Sequence, residues 1–336
     1  MSGQKVWVLA DDRAGNVAQA LGVAEALEVP FEVKPIRYDR LARLFNAVRG
    51  TSLLGIVPDS RQALCPPWPR LVIGAGRRTA PVGRWLKRVS GCHLLQIMDP
   101  GWPGRQDFDL IAIPRHDDGD RATLTDAAVS DAKGPGRPSN VIRTLGACHR
   151  IIPGLLATEA DKWRGRLAHL PGPYLLLVVG GETRDYRFPV SLGRELARGV
   201  ARLHDRMGGS ILVTTSRRTT PDLARAVIDG LPEPRHIYRW EDGGDNPYLG
   251  FLALADCVVV TGDSMSMCSE ACATPGPVYI FSPDGMVTRK HAALHRLLFE
   301  AGYARPLGGD PGYWTHPRLN AAFDVAAAVR ARGLLS

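Results

Sequence analysis

Residues 256–280 read Asp256-Cys-Val-Val-Val-Thr-Gly-Asp-Ser-Met-Ser-Met-Cys-Ser-Glu-Ala-Cys-Ala-Thr-Pro-Gly-Pro-Val-Tyr-Ile280. Cys257–Val260 is a strand-sized apolar run, Met265–Thr274 continues with small residues at helical spacing, and Val278–Phe281 is apolar again. Strand, turn, helix and strand in succession form the unit of a parallel α/β sheet. The turn Thr261-Gly262-Asp263-Ser264 falls at the carboxyl end of a strand, where open parallel sheets bind ligands. A helix opening there aims free N–H groups at the turn, which makes an anion site. Ser266 and Glu270, four residues apart, share a helix face. A carboxylate in that place suits the vicinal hydroxyls of a ribose.

The same alternation extends both ways from this stretch. Downstream, Lys290–Ala301 and Arg318–Arg332 read as terminal helices. Upstream, Tyr174–Val179, Ser210–Thr214 and His236–Tyr238 read as strands, and Val190–His204, Pro221–Leu231 and Pro247–Ala255 as helices. Before Pro171-Gly-Pro, Lys5–Ala10, Phe31–Ile36, Leu71–Gly74, His93–Ile97, Leu110–Ile113 and Val141–Leu145 read as strands, with helices at Val17–Leu27, Leu41–Ile56 and Ala80–Val89. Asp117–Ser139, rich in Asp, Gly, Pro and Ala, reads as a loop. The expected fold is α/β, two Rossmann-like domains facing across a cleft. The expected boundaries are 1–152, a linker helix over 153–173, and 174–336, with the C-terminal helix packing back on the first domain. An internal echo supports two similar halves: Leu71–Pro81 and Ile211–Pro221 both run strand, small-residue turn, Arg-Arg-Thr and Pro.

The chain has 336 residues, 45% apolar and 23% charged, the balance of a folded protein of about two domains. Its apolar runs are far shorter than the roughly 20 residues of a membrane-spanning helix. The first residues read as a strand rather than a signal peptide, so a cytoplasmic location is expected. Cys65, Cys92, Cys148, Cys257, Cys268 and Cys272 form no C-x-x-C pair and read as small buried hydrophobes, with no metal site. Net charge is +8, and Lys34–Arg88 holds twelve Lys or Arg against only Asp39 and Asp59. That asymmetry implies an anionic partner, phosphate, acidic lipid or nucleic acid by charge alone. Within it, Leu41–Ile56 interleaves Leu41, Leu44, Phe45 and Val48 with Arg40, Arg43 and Arg49. Read as a basic amphipathic helix, it lies on an acidic membrane surface, peripheral at the inner membrane; read otherwise, its apolar residues belong to the core.

Several other turns carry polar chemistry. Asp11 and Asp12 follow the first strand, as a general base, a hydroxyl ligand or a helix cap. Gly15, Asn16, Arg77, Arg78 and Thr79 form an acceptor side, and Asp99 either positions an acceptor or shapes the Pro100-Gly101 turn. His116 is a candidate acid or base, or a structural loop histidine. Gly180 and Gly181 allow close backbone approach, and Thr183, Arg184, Thr215, Ser216, Arg217 and Arg218 offer hydroxyls and guanidinium forks for phosphate. Trp240 could stack on a base, Asn246 opens the Asn-Pro-Tyr248 run, and Lys290 could neutralise a diphosphate; for Trp240 and Lys290 a structural role stands beside the functional one. No G-x-G-x-x-G is present, so a dinucleotide fingerprint is missing. Gly262-Asp263-Ser264 also matches the nucleophile block of some esterases, yet only Lys290-His291 follows where an Asp-x-x-His is needed.

The run Ala255-Asp256, strand, Gly262-x-Ser264, helix, Glu270-Ala271-x-Ala273, Pro277-Val278 resembles the GT-B glycosyltransferase and nucleotide-sugar epimerase superfamily. That resemblance implies Glu270 on the ribose, and Ser264, Ser266 and their amides on a diphosphate. More closely, the chain resembles a mitochondrial-fission family first named from a plant protein, through Asp11-Asp12-Arg13, Gly76–Pro81, Gln96–Pro100, Gly180-Gly181, Thr215–Thr219, Asn246–Tyr248, Thr261–Ser264 and Phe281-x-Pro283-Asp284-Gly285. Bacterial members of that family are often labelled nucleoside-diphosphate-sugar epimerases. The expectation that follows is a metal-independent GT-B glycosyltransferase with a nucleoside-diphosphate sugar as co-substrate and no further cofactor. No D-x-D stands on the nucleotide-side turns. An epimerase of the same fold and a non-catalytic adaptor are the alternatives. A lipid or phosphate-containing acceptor is an expected partner, and nucleic acid is not.

Overall fold

The computed structural model describes residues 6–124, 140–183, 186–309 and 312–336. Twelve strands are present among them: β1 (Val6–Ala10), β2 (Phe31–Pro35), β3 (Leu71–Ala75), β4 (His93–Ile97), β5 (Leu110–Pro114), β6 (Val141–Thr144), β7 (Tyr174–Val179), β8 (Ser210–Thr215), β9 (Arg235–Tyr238), β10 (Cys257–Thr261), β11 (Val278–Phe281) and β12 (Arg305–Pro306). The helices are α1 (Ala14–Ala26), α2 (Asn46–Arg49), α3 (Pro58–Gln62), α4 (Ala80–Ser90), α5 (Pro153–Arg164), α6 (Val190–Met207), α7 (Pro221–Ile228), α8 (Tyr248–Leu254), α9 (Met265–Ala271), α10 (Arg289–Glu300) and α11 (Ala321–Ala331). All pairings between these strands are parallel.

Two compact units result. One holds the residues up to Arg115, the segment ending at Arg150, and Asn320–Ser336; the other holds His116–Leu124 and Ile151–Leu319. The first sheet runs β2-β1-β3-β4-β5-β6 and the second β12-β11-β10-β7-β8-β9. Read from its other edge and renumbered from its own first strand, the second is the doubly wound Rossmann order 3-2-1-4-5-6. Each sheet therefore has a point where the chain reverses direction across the strand order: between β1 and β3, and between β7 and β10. Those are the places where side chains at the carboxyl ends can surround a ligand.

The central strands are largely apolar because helices cover both faces. On one face of the first sheet, Val6, Val8, Leu71, Ile73 and Leu95 pack under α1 and α11; on the other, Trp7, Leu9, Val72 and Leu94 meet Val82 and Leu86 of α4. Leu175, Leu177 and Val179 of β7 do the same against Leu196 and Val200 of α6 and Leu223 and Val227 of α7. Helix ends follow local chemistry. Pro sits at the first turn of α4, α5 and α7, where its missing N–H costs nothing. The Thr220 side chain caps α7 and Asn320 caps α11.

The continuous helix expected over Leu41–Ile56 does not form. Arg40–Arg43 is a single 3₁₀ turn, Phe45 is extended, and α2 has only four residues. The chain closes into a compact loop, with the Asp39 amide donating to the Gly55 carbonyl at 3.1 Å. Gly50 and Gly55 take positive φ of 57° and 84°, and a Cβ on Gly55 would run into the Ala42 backbone. The loop wraps around Arg49, which is 1% exposed and donates to the Leu54 and Arg78 carbonyls. Leu41, Leu44, Phe45 and Val48 stay in solvent rather than in the core. Arg49 is thus neither a lipid-facing cation nor a surface charge. Of the six cysteines, Cys65 is exposed and the other five are buried, which corrects the expectation for that one.

Candidate functional site

At the reversal point of the second sheet, the turns after β7, β8 and β10 are sewn together by one carboxylate. The Asp263 side chain is 1% exposed. Its Oδ2 accepts from the Gly181 amide at 3.0 Å and pairs with Arg218 Nη2 at 2.9 Å, while its Oδ1 accepts from the Thr261 hydroxyl at 2.6 Å. Thr261 Oγ1 in turn accepts from the Gly180 amide at 2.7 Å. Gly180 and Gly181 have no room for a Cβ: it would strike the Asp263 carboxylate in one case and the Arg218 carbonyl in the other. Asp263, Thr261, Gly180, Gly181 and Arg218, expected as ligand contacts, are therefore spent on holding three turns in register. Gly262 follows the same logic, since its Cα hydrogens face the His295 ring.

The hydroxyls of the β8 turn are committed too. Thr215 Oγ1 accepts from the Trp240 amide at 2.9 Å, Ser216 Oγ accepts from the Arg218 amide at 3.2 Å, and Thr219 Oγ1 accepts from the Ser216 amide at 2.9 Å. Ser264 Oγ caps α9 through the Met267 amide, and Asn246 Oδ1 accepts from the Tyr248 amide. The Thr183 amide donates to the Tyr186 carbonyl. Arg184 lies outside the described residues. Lys290 pairs with Asp117 at 2.6 Å, so its charge is met on the surface of its own unit.

What remains free to meet a ligand is a smaller set. Arg217 is exposed and forms no ion pair among the described residues. Ser266 is partly accessible at the opening of α9, whose first amides have no helical acceptor. Trp240 is 48% exposed. Glu270 is partly accessible; its Oε2 accepts from the Tyr248 hydroxyl at 2.8 Å, and Oε1 takes no hydrogen bond from the described protein. Burial lifts the Glu270 carboxyl to about 7, against the opposing pull of that hydrogen bond. Tyr248 itself is held well above its ordinary value by burial and by the neighbouring carboxylate. Sequence reasoning missed Tyr248 as the partner of Glu270; its signal was the Asn-Pro-Tyr run at a helix start.

In the first unit, the reversal point between β1 and β3 carries Asp11, Asp12 and the Gly76–Thr79 turn. Asp11 accepts from the Arg13 amide and from Asn16 Nδ2, each at 3.0 Å, and burial raises its carboxyl above the usual range. Neither acid caps α1, whose cap residue is Arg13. Asp12 is bridged by Arg78 Nη1 at 2.8 Å to both oxygens. The guanidiniums of Arg78 and Arg49 lie 5.5 and 5.9 Å from the Tyr38 ring, and the Tyr38 hydroxyl is buried without a partner among the described residues. Gly76 takes φ +75° with Asn16 against it, Thr79 is buried and donates to the Ala75 and Gly76 carbonyls, Gly15 faces open space, and Arg77 is exposed.

For two candidates the structure favours the structural alternative. Asp99 accepts from the Gly101 amide at 2.9 Å and pairs with Arg105 at 3.0 Å, so it shapes its turn. His116 is 4% exposed, and burial depresses its imidazole to about 4, which leaves it neutral and enclosed at pH 7. The echoed Arg-Arg-Thr turns do not follow equivalent strands, since β8 is the second strand of its unit and β3 the third. What they share is mechanical: Arg78 and Arg218 each reach from a neighbouring turn to the acid at the reversal point. Among the described residues, no group of three or more His, Cys, Asp or Glu is placed to hold a metal ion, and no helix is long and apolar enough to cross a membrane.

The family model for mitochondrial fission ELM1 matches residues 14–333. The chain belongs to the mitochondrial fission ELM1 family. It is 30% identical over 290 residues to mitochondrial fission protein ELM1 of Arabidopsis thaliana, covering 82% of this chain and 66% of that protein's length. It is 29% identical over 319 residues to the uncharacterized protein RP120 of Rickettsia prowazekii, covering 89% of each. Among solved structures, the Listeria monocytogenes protein assigned as a UDP-N-acetylglucosamine 2-epimerase superposes with a TM-score of 0.50 at 14% identity, covering 98% of this chain and 88% of that one. That likeness shows that the ELM1-family chain has the GT-B-like fold of paired Rossmann-like units.

Proposed function

We propose that this chain is a glycosyltransferase whose second unit binds the nucleotide part of a nucleoside-diphosphate sugar and whose first unit receives the acceptor. Glu270 carries the reading. It lies on α9, the helix launched from the β10 turn at the reversal point of a Rossmann-ordered sheet, with one carboxylate oxygen held by Tyr248 and the other without a hydrogen bond from the described residues. Two ribose hydroxyls suit that second oxygen, and Arg217 with the free amides of Met265 and Ser266 suits a diphosphate.

Ribose hydroxyls donate to the ionised carboxylate, so binding favours the deprotonated form. With the free carboxyl at about 7, affinity for UDP-glucose is expected to tighten by about tenfold from pH 6 to pH 8. This sugar nucleotide is chosen because its diphosphate does not titrate there. Glu270→Gln is expected to flatten the profile, and Glu270→Ala to weaken binding by about 1.5–3 kcal/mol. Calorimetry on the three proteins checks this; equal affinities remove Glu270 from the site, and no binding of any sugar nucleotide returns the chain to the adaptor role. The name of the Listeria protein favours a second reading, epimerisation. Product analysis separates the two: free UDP with a glycosylated acceptor means transfer, and an altered sugar still on UDP means epimerisation.

The proposed reaction needs no divalent metal, because guanidinium and amide donors meet the leaving-group charge. Turnover is expected to persist in EDTA. Activity lost in EDTA and restored by Mg²⁺ or Mn²⁺ overturns that part.

A further inference from the structure

The loop that replaces the expected helix leaves an unusual surface on the first unit. Phe45 is 80% exposed and Trp102 is 82% exposed, with Leu41, Leu44 and Val48 also in solvent. Single exposed apolar residues are ordinary, whereas several large ones gathered on adjoining segments mark a contact surface. These segments adjoin. Asn46, next to Phe45, donates through Nδ2 to the Pro100 carbonyl at 3.0 Å and to the Arg77 carbonyl at 2.9 Å. Arg84 donates to the Gly50 carbonyl at 3.1 Å and pairs with Asp107 at 2.6 Å, tying the loop to the far side of the Trp102 segment.

The unpaired cations around this tip outnumber its acids. Arg37, Arg40, Arg43 and Arg77 are exposed, and none has an ion pair among the described residues. Of the nearby acids, Asp39 is turned to the Leu41 amide and Asp99 to Arg105. Two copies of this face would set like charges against each other, which disfavours self-association. Amphipathic aromatic rings and aliphatic side chains ringed by unpaired cations match the boundary of an anionic bilayer, where the rings seat at headgroup level and each cation near the surface adds attraction.

We propose that the Leu41–Val48 loop and Trp102 form a docking tip that inserts into an anionic lipid surface, with Arg40, Arg43 and Arg77 on the headgroups. The tip is built from a compact loop rather than an amphipathic helix, and it stands independently of the nucleotide reading. Co-sedimentation of the full chain with phosphatidylglycerol-containing vesicles tests it, with phosphatidylcholine vesicles as reference. Wild type is expected to pellet with the anionic vesicles at low salt and to be released as salt rises. Phe45→Ser with Trp102→Ser, and separately Arg40→Glu with Arg43→Glu, are each expected to lower partitioning at least about tenfold. Both pairs are exposed, so unchanged circular dichroism and thermal midpoint confirm that folding is intact. Arg194→Glu with Arg198→Glu on α6 changes net charge equally at a distant surface and is expected to retain binding. The proposal is overturned if wild type stays in the supernatant at low salt, if the aromatic pair is without effect, or if the α6 control loses as much as the loop arginines. A concentration-dependent dimer abolished by Phe45→Ser would assign the face to a second copy and overturn it equally.

Discussion

Asp263→Ala is expected to lower stability by about 3–5 kcal/mol, the scale for breaking a buried pair from one side. The carboxylate accepts the Gly181 amide and the Thr261 hydroxyl and pairs with Arg218. Removing it strands an amide, a hydroxyl and a partly buried guanidinium together, each with its own desolvation cost. Asp263→Asn keeps one acceptor but removes the negative charge that pairs with Arg218, so a smaller loss is expected. Urea unfolding gives both values, and a cycle with Arg218→Ala isolates the ion pair. A midpoint for Asp263→Ala equal to wild type would show that the three turns are held by the sheet alone. Nucleotide affinity of this variant, measured below its unfolding transition, is expected to fall as well, because the turn that launches α9 loses its anchor.

Glu270 should act in the opposite sense on stability. A carboxyl whose folded value is raised from about 4.5 to about 7 is harder to ionise in the native state than in the unfolded one. The native state binds the extra proton, so stability falls as pH rises between those two values. The penalty is absent below about pH 4.5, grows through the interval and is constant above pH 7, reaching about 3–4 kcal/mol by the linkage of about 1.36 kcal/mol per unit. Glu270→Gln keeps an acceptor for Tyr248 and removes the titration. It is expected to be more stable than wild type at pH 8 and indistinguishable from it at pH 4.5, by chemical denaturation at the two pH values. A difference that does not change with pH would mean that the carboxyl is not the source. A residue that costs stability at neutral pH has the profile that the proposed binding role requires.

Eleven of the twelve strands were legible, the inner ones as apolar runs between Gly- and Pro-marked turns, because periodicity is a local property; β12, only Arg305–Pro306, carries no such pattern and was not read as a strand. Family and fold class were carried by short motifs such as Thr261–Ser264 and Gly76–Pro81, which survive as sequence whatever their partners. That Glu270 shares a helix face with Ser266 was legible as well, since four-residue spacing on a helix fixes which side chains lie together.

The division of labour among the turn residues was not legible. Asp263 and Glu270 are both acids beside the same turn, yet one is sealed among two neighbouring turns and the other is left with an oxygen that takes no hydrogen bond from the described residues. Only the order of strands in the sheet decides that, by bringing the β7 and β8 turns against β10. Likewise Leu41–Ile56 carries a helical pattern, but Gly55 must lie on the Ala42 backbone and Arg49 must reach the Arg78 carbonyl. Those long-range contacts outweigh a helix propensity worth a few tenths of a kcal/mol per residue. Sequence by itself thus determined the elements and the family. Tertiary structure decided which polar groups are consumed in holding the turns and which remain for a ligand, because hydrogen-bond partners distant along the chain are set by topology.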